Sequence, residues 1–249
     1  MFSAIIDACR TLLADSEAAK DCQSYLDGRL SRTIQERFGF GYFPNQNNLP
    51  LLTAIIGEDV LLQSKLLYQW DVRDSQSARI MGVSFFEHHP LVMPYRDLYG
   101  RVVAIVGRSL LNDKEREAIG VPKYKNTVFT KGSHLFGLND ARNSIIKEDK
   151  AYVVEGQFDM IKAFEKGITN VVAVGNSNIT GYQLGLLRRY TNNIVLLFDT
   201  DEAGRMGADK AMGKFKQYAN LRDVCLPAGY KDFDEFLGEN GIEELNALI

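Results

Sequence analysis

Two apolar runs in the second half of the chain end in acidic clusters. Ala151-Tyr152-Val153-Val154 leads into Glu155-Gly156, and Ile194-Val195-Leu196-Leu197-Phe198 leads into Asp199-Thr200-Asp201. An unbroken run of Val, Ile, Leu and Phe is the pattern of a strand buried on both faces, as in a parallel sheet. Carboxylates at the ends of two such strands collect negative charge at one edge of the sheet, the edge at which open α/β folds bind ligands. Clustered carboxylates repel and raise one another's pKa, so the arrangement calls for a divalent cation. Fold and chemistry are constrained together: magnesium held against phosphate.

The rest of the second half fits this frame. Apolar runs at 151–155, 170–175, 193–199 and 221–226 read as strands. Helical patterns at 158–166, 181–190, 203–218 and from 233 onward fall between and after them. Such alternation predicts βαβ units and a parallel sheet flanked by helices. The first half is mixed. Residues 3–19 and 22–38 have helical spacing, broken at Gly39-Phe40-Gly41-Tyr42-Phe43-Pro44, and another helical segment is expected at 60–67. Apolar runs at 91–97 and 102–107 flank Leu98-Tyr99-Gly100-Arg101 and predict a β-hairpin. The expected organisation is an N-terminal α+β lobe over 1–145, joined to an α/β parallel-sheet domain with a helical C-terminal end over 146–249.

Composition narrows the class. With 249 residues, 45% hydrophobic and 24% charged, the chain can bury a proper core. No apolar run approaches the ~20 residues of a membrane helix. The N-terminal segment is amphipathic with interspersed acids and is not a signal peptide. Cys9, Cys22 and Cys225 are scattered, which excludes a disulfide framework or zinc ribbon within this chain and suits a reducing cytoplasm. The net charge of −3 does not exclude a nucleic-acid ligand, because a basic groove and an acidic pocket cancel in the sum.

The acidic residues form three clusters. In Glu155-Gly156-Gln157-Phe158-Asp159 the Gly allows a tight turn, and Asp159 lies one helical turn beyond it. Asp159 also fits a residue complementing a helix dipole. Asp199 and Asp201, two apart on an extended strand, can converge on one cation or on two neighbouring ones; the bland alternative is a polar loop. The third cluster, Lys231-Asp232-Phe233-Asp234-Glu235, by itself reads as a helix N-cap. Beside the other two it supplies the remaining metal ligands.

Glu-Gly-x-x-Asp, Asp-x-Asp-x-x-Gly and Asp-x-Asp in this order resemble the Toprim fold, shared by primases, topoisomerases, RecR-type repair proteins and OLD-type nucleases. Tyr25-Leu26, Leu30-Ser31, Thr33-Ile34, Phe38, Gly41-Tyr42 and Pro44 resemble the entry helices of the DnaG-type bacterial primase catalytic core. Met93-Pro94, Asp97, Gly100 and Gly107-Arg108 are similar to that core's strand pair. Lys123-Tyr124, Asn126, Phe129, Lys131-Gly132 and Leu135-Phe136-Gly137-Leu138 are similar to the segments that follow. The ordered likeness runs from about Tyr25 to Leu237. Gly28-Arg29 stands where the family has Arg-Gly, Glu87-His88-His89 replaces its Arg before the hairpin, and Val106-Gly107-Arg108 has one glycine fewer. The segment after Asn126 is shorter, and Tyr230-Lys231 precedes Asp232 where the family has another acid. These departures describe a divergent member, of phage or mobile-element origin.

The resemblance implies template-directed RNA primer synthesis from NTPs on single-stranded DNA. Two or more Mg²⁺ or Mn²⁺ ions would be expected, with no zinc in this chain. It implies Asp199, Asp201 and Asp232 as metal ligands, Asp159 and Asp234 in support, and Glu155 as ligand or base. Arg108, Lys123 and Lys131, with Tyr124 and Asn126, are the expected nucleic-acid and NTP contacts. Lys125 reads as a solvated surface charge, His88, His89 and His134 as loop residues, and Trp70 as packing. A replicative helicase and a zinc-domain or other template-reading partner in trans are implied, since neither domain is in this chain; Met1-Phe2-Ser3 before a helix pattern reads as a natural start. No membrane partner is expected. A Toprim nuclease using water as nucleophile, and a non-catalytic DNA-binding accessory protein, are the competing readings.

Overall fold

In the computed structural model, α1 (Phe2–Asp15) forms because Ile5, Ile6, Cys9, Leu12 and Leu13 fall on one face, and all are buried. Residues 1–74 and 77–248 are described, those of 69–82 by backbone only. The packing role expected of Trp70 therefore lies outside the described side chains. The chain groups into two units: Met1–Tyr95 with Val102–Phe129, and Arg96–Arg101 with Thr130–Ile249.

In the first unit the helical stretch expected over 22–38 is two helices, α2 (Lys20–Asp27) and α3 (Arg32–Phe38). The buried Gln35 amide fills the break, donating to Leu30 O at 2.9 Å and Asp27 Oδ1 at 3.0 Å and accepting from Gln23 at 3.1 Å. Gly39, at φ 70°, ends α3. β1 (Gly41–Tyr42) follows so close to α1 that a Cβ on Gly41 would lie 2.6 Å from Cys9 Cβ. Then come α4 (Leu49–Ile56), α5 (Glu58–Gln63) and an antiparallel ribbon of β2 (Leu67–Asp74) and β3 (Ser77–Ser84). The helix expected at 60–67 thus stops at Gln63, and Leu67 opens a strand. β4 (Leu91–Arg96) and β5 (Val102–Arg108) form the expected hairpin. After α6 (Asp113–Ala118), β6 (Tyr124–Asn126) completes a sheet of order β1-β4-β5-β6.

The second unit opens with α7 (Leu138–Glu148), which contains residues 145 and 146, the division drawn from the sequence. The βα alternation follows: β7 (Ala151–Val154), α8 (Gln157–Glu165), β8 (Val171–Ala173), α9 (Gly181–Leu187), β9 (Asn193–Leu197), α10 (Glu202–Phe215) and β10 (Asn220–Asp223). α11 (Phe233–Glu239) and α12 (Ile242–Leu248) end the chain. All strand pairs are parallel, in the order β10-β9-β7-β8. Val153 and Leu196, in register at the centre, are fully buried and each contributes on the order of 2 kcal/mol. The edge strand β10 instead alternates buried and exposed. This is the expected α+β lobe followed by a parallel α/β sheet flanked by helices. Among the described residues no helix is long and apolar enough to cross a membrane.

Candidate active site

Register sets the site. Val154 pairs with Leu197, so Glu155 and the Phe198-Asp199 segment leave the sheet side by side at its carboxyl edge. Glu155 Oε1 accepts the Asp199 N–H at 3.1 Å and straps the two strand ends together. Asp159, in the first turn of α8, accepts the Gly156 N–H at 3.0 Å and, with its other oxygen, the Asp234 N–H at 3.2 Å. The first acidic cluster is thereby bonded to the third. Thr200 completes the connection: its N–H donates to Lys231 O at 2.9 Å and its hydroxyl to Tyr230 O at 3.1 Å.

Asp201 and Asp232 are both helix N-caps. Asp201 Oδ1 accepts the Gly204 N–H at 2.8 Å at the head of α10, and Asp232 Oδ1 accepts the Glu235 N–H at 2.9 Å at the head of α11. β9 ends at Leu197, so the two-residue spacing of Asp199 and Asp201 is not a strand spacing, as the sequence reading assumed; a turn and a cap set their directions. The glycine of Asp-x-Asp-x-x-Gly has a steric cause. A Cβ at Gly204 would lie 2.6 Å from Glu155 Oε1 and closer still to the Asp199 backbone oxygen.

The electrostatics follow from burial and crowding. Burial, then the neighbouring charges of Asp199, Asp232 and Asp234, push the Asp159 carboxyl up to about 7. Glu155 is also pushed up to about 7, first by burial and then by Asp201 and Asp159, against the Asp199 N–H that favours its charged form. The donors are all carboxylate oxygens, which suit a hard cation such as Mg²⁺ or Mn²⁺. Chemically the cluster fits such an ion. Geometrically, among the described residues no three His, Cys, Asp or Glu side chains are grouped to hold one. Asp201 and Asp232 each have one oxygen engaged in a cap, so closing on a cation requires the carboxylates to turn inward.

Lys131 belongs to the same edge: its Nζ donates to Gly175 O at 3.2 Å, and the Gly175 N–H bonds the Glu155 carbonyl at 2.9 Å. Burial pulls the Lys131 pKa down. Thr180 and Gln183 hold the Lys131 loop in place, the Thr180 hydroxyl donating to Gly132 O at 2.6 Å and Gln183 Nε2 to His134 O at 2.7 Å. Sequence reasoning missed both, although Thr-x-x-Gln is a capping-box spacing and that box is formed at α9.

The other expected contacts gather on β5 and β6 of the first unit. Arg108 pairs in register with Tyr124, and its guanidinium lies 5.2 Å from the Tyr124 ring and 5.2 Å from the Tyr25 ring. It also donates to the Tyr124 hydroxyl. Arg29 covers Tyr25 at 5.0 Å and Lys123 lies 5.9 Å from Tyr124, giving a ladder of alternating cations and rings. Tyr25 and Arg29 were not among the expected contacts; their four-residue helical spacing was the available signal. Asn126 sits beside them with a buried Oδ1 that accepts no hydrogen bond among the described residues. Lys125 is not the solvated charge expected. Its Nζ donates to Phe85 O at 2.6 Å and lies 4.1 Å from the Phe85 ring, and burial lowers its pKa. His88, His89 and His134 are loop residues as expected, but His89 is buried, its Nε2 bonded to Pro122 O at 2.8 Å.

Residues 9–142 match the family described as DNA primase catalytic core, N-terminal domain, and residues 152–237 match Toprim-like. A DNA primase of Aquifex aeolicus is 34% identical over 243 residues, covering 96% of this chain and 46% of that protein. The crystal structure of the Aquifex aeolicus primase zinc-binding and RNA polymerase domains is 32% identical, with a TM-score of 0.78 over 99% of this chain and 58% of that one. A DnaG primase catalytic domain bound to single-stranded DNA is 28% identical, with a TM-score of 0.76 over 99% of this chain and 80% of that one. The chain therefore spans about half the length of the Aquifex primase it matches. Over that span, with the first family covering more than half of it and the Toprim acids at the edge of a parallel sheet, the chain belongs to the DnaG-type DNA primase catalytic-core family.

Proposed function

We propose that this chain synthesises RNA primers on single-stranded DNA in replication, by metal-dependent nucleotidyl transfer from NTPs. The observation that carries the reading is the bonding of three acidic clusters at one sheet edge, with Asp159 bridging the first to the third, in a chain of the primase-core family. Asp199, Asp201 and Asp232 would hold Mg²⁺ or Mn²⁺, with Asp159 and Asp234 in support. When bound, such ions would lower the pKa of the attacking hydroxyl and neutralise charge on the α-phosphate.

Glu155, raised to about 7, is matched to taking the proton of the 3′-hydroxyl near neutral pH, and serves equally as a ligand when ionised. Asp159 fixes the distance between clusters through its two backbone hydrogen bonds. Arg108, Lys123 and Lys131 bind template and triphosphate oxygens, and Tyr124 and Asn126 supply stacking and polar contact. A single-stranded DNA partner is supported by the strand bound to the DnaG catalytic domain that this chain resembles.

The test is primer synthesis from NTPs on single-stranded DNA with Mg²⁺ or Mn²⁺, run with and without helicase and zinc-domain proteins. Asp199→Ala should abolish synthesis with an unchanged circular-dichroism melt; retained synthesis would sink the site assignment. Strand cleavage without NTP incorporation would favour the nuclease reading.

A further inference from the structure

The buried glutamines of this protein are not alike. Gln35 uses both ends of its amide, and so does Gln183, which donates to His134 O at 2.7 Å and Val174 O at 3.2 Å and accepts the Thr180 N–H at 3.0 Å. Gln157 is only 4% exposed, yet neither its side-chain amide nor its backbone N–H, the first of α8, meets a partner among the described residues. A buried amide left unpaired is costly and calls for a reason.

Its surroundings supply one. Gln157 Nε2 lies 3.5 Å from the point a Gly175 Cβ would occupy, and Lys131 Cδ lies 3.2 Å from the same point. Gly175, at φ +73°, cannot carry a side chain without strain, so the gap between the amide and the lysine stem stays open. Lys131 Nζ spends one of its three donors on Gly175 O and forms no ion pair among the described residues.

Strand order separates this cradle from the acids, because β7 lies between β9 and β8. On the β9 side Glu155 accepts the Asp199 N–H, and both oxygens of Asp159 are taken by Gly156 and Asp234. Gly175 follows β8 on the other flank, its N–H on the Glu155 carbonyl at 2.9 Å. The two flanks are one strand spacing, about 4.8 Å, apart. One gathers carboxylates. The other gathers an amide, an ammonium and the positive end of a helix dipole, all of which favour an anion.

We propose that this cradle binds a phosphate group of the nucleoside triphosphate, with Gln157 Nε2 and Lys131 Nζ donating to its oxygens. A triphosphate carries several such groups and can reach from one flank of β7 to the other. Naming the anion an NTP rests on the primer-synthesis reading above; the cradle itself does not.

The test is calorimetry of sodium tripolyphosphate with the 249-residue chain in metal-free buffer, beside RNA synthesis on single-stranded DNA with ATP varied and anisotropy of labelled oligo(dT). Gln157→Met keeps the length of the side chain and removes the amide. It should melt at or above wild type, since an apolar group of similar shape replaces an unpaired buried amide. It should also weaken tripolyphosphate roughly tenfold and raise the KM for ATP with little change in kcat, leaving oligo(dT) affinity unaltered. Gln157→Glu, nearly isosteric, sets a carboxylate against the anion and should abolish tripolyphosphate binding. If wild type does not bind tripolyphosphate, or either variant binds it as wild type does, the cradle is overturned. If the variants lose oligo(dT) and keep tripolyphosphate, the phosphate belongs to the strand and the NTP assignment is overturned. If tripolyphosphate binding falls as expected but wild type makes no RNA, the cradle stands and the primer-synthesis reading fails.

Discussion

Three glycines of α10 give a test whose sign changes along one helix. A Cβ at Gly213 would meet nothing within 4 Å, and the residue is exposed, so Gly213→Ala should gain only the helix propensity of alanine, about 0.5–1 kcal/mol. Gly204 has the same propensity to gain. There, however, the carbon would lie 2.6 Å from Glu155 Oε1 and closer to the Asp199 carbonyl, a backbone atom that cannot rotate away. Overpacking of this kind costs about 1–3 kcal/mol, so Gly204→Ala should be destabilising by a net 1–2 kcal/mol or so. At Gly207 the carbon would overlap the Ser177 backbone oxygen, and the loss should exceed that at 204. Thermal melts at one pH and protein concentration read the series, since 1 kcal/mol moves the Tm of a domain of 150–250 residues by roughly 2–4 °C. Gly213→Ala should melt above wild type, Gly204→Ala below it and Gly207→Ala lowest. Because the intruding carbon displaces Glu155 and Asp199, Gly204→Ala should also lose primer synthesis at temperatures where it remains folded. If Gly204→Ala melts with Gly213→Ala, the contact between α10 and the strand ends is not tight, and the steric account of the motif glycine fails.

Other perturbations separate the roles of single groups. Asp159 and Glu155 have folded pKa values of about 7, above their ordinary values, so the stability they contribute is complete near pH 4 and is lost as pH rises through 7. In metal-free buffer the Tm should therefore fall between pH 5.5 and 8, Mg²⁺ should restore part of it at pH 8, and Asp159→Asn should flatten the profile. Buried His89, whose pKa is lowered by burial, works in the opposite direction, so the difference between wild type and Asp159→Asn is the diagnostic; identical profiles would refute the assignment. Asp201→Ser keeps an acceptor for the Gly204 N–H and should melt close to wild type yet fail in primer synthesis, whereas Asp201→Ala should also lose about 1 kcal/mol of capping. Full activity in Asp201→Ser would make that residue a cap only. Tyr25→Leu removes one ring from the Arg108 sandwich and should move the salt slope of single-strand binding toward that of Arg108→Ala, while Tyr25→Phe should not.

What could be read from the sequence divides along the range of the interactions. β7 and β9 were legible because strands buried on both faces need an unbroken apolar run, and the acids beyond them mark the sheet edge. The β2–β3 ribbon was missed, yet its signal was present: Tyr68, Trp70 and Val72 alternate with Gln69, Asp71 and Arg73, and the expected helix at 60–67 obscured that period of two. Lys125 was misjudged, and the burial of the loop residue His89 was not foreseen, for a different reason: their partners lie 40 and 33 residues away and no local pattern encodes them. The acidic residues show the limit most sharply. A helix cap and a metal ligand both require a carboxylate where a loop meets a helix, so Asp201 and Asp232 satisfy both patterns at once. In the structure each is a cap, with one oxygen engaged in a backbone N–H bond; under the proposed function the other oxygen would turn to a cation. Asp159 has no such spare oxygen, because one accepts Gly156 and the other accepts Asp234, 75 residues away. It therefore fixes the spacing of the clusters on which the capping carboxylates would close. That division between a spacing carboxylate and turning ones depends on a contact that no motif contains.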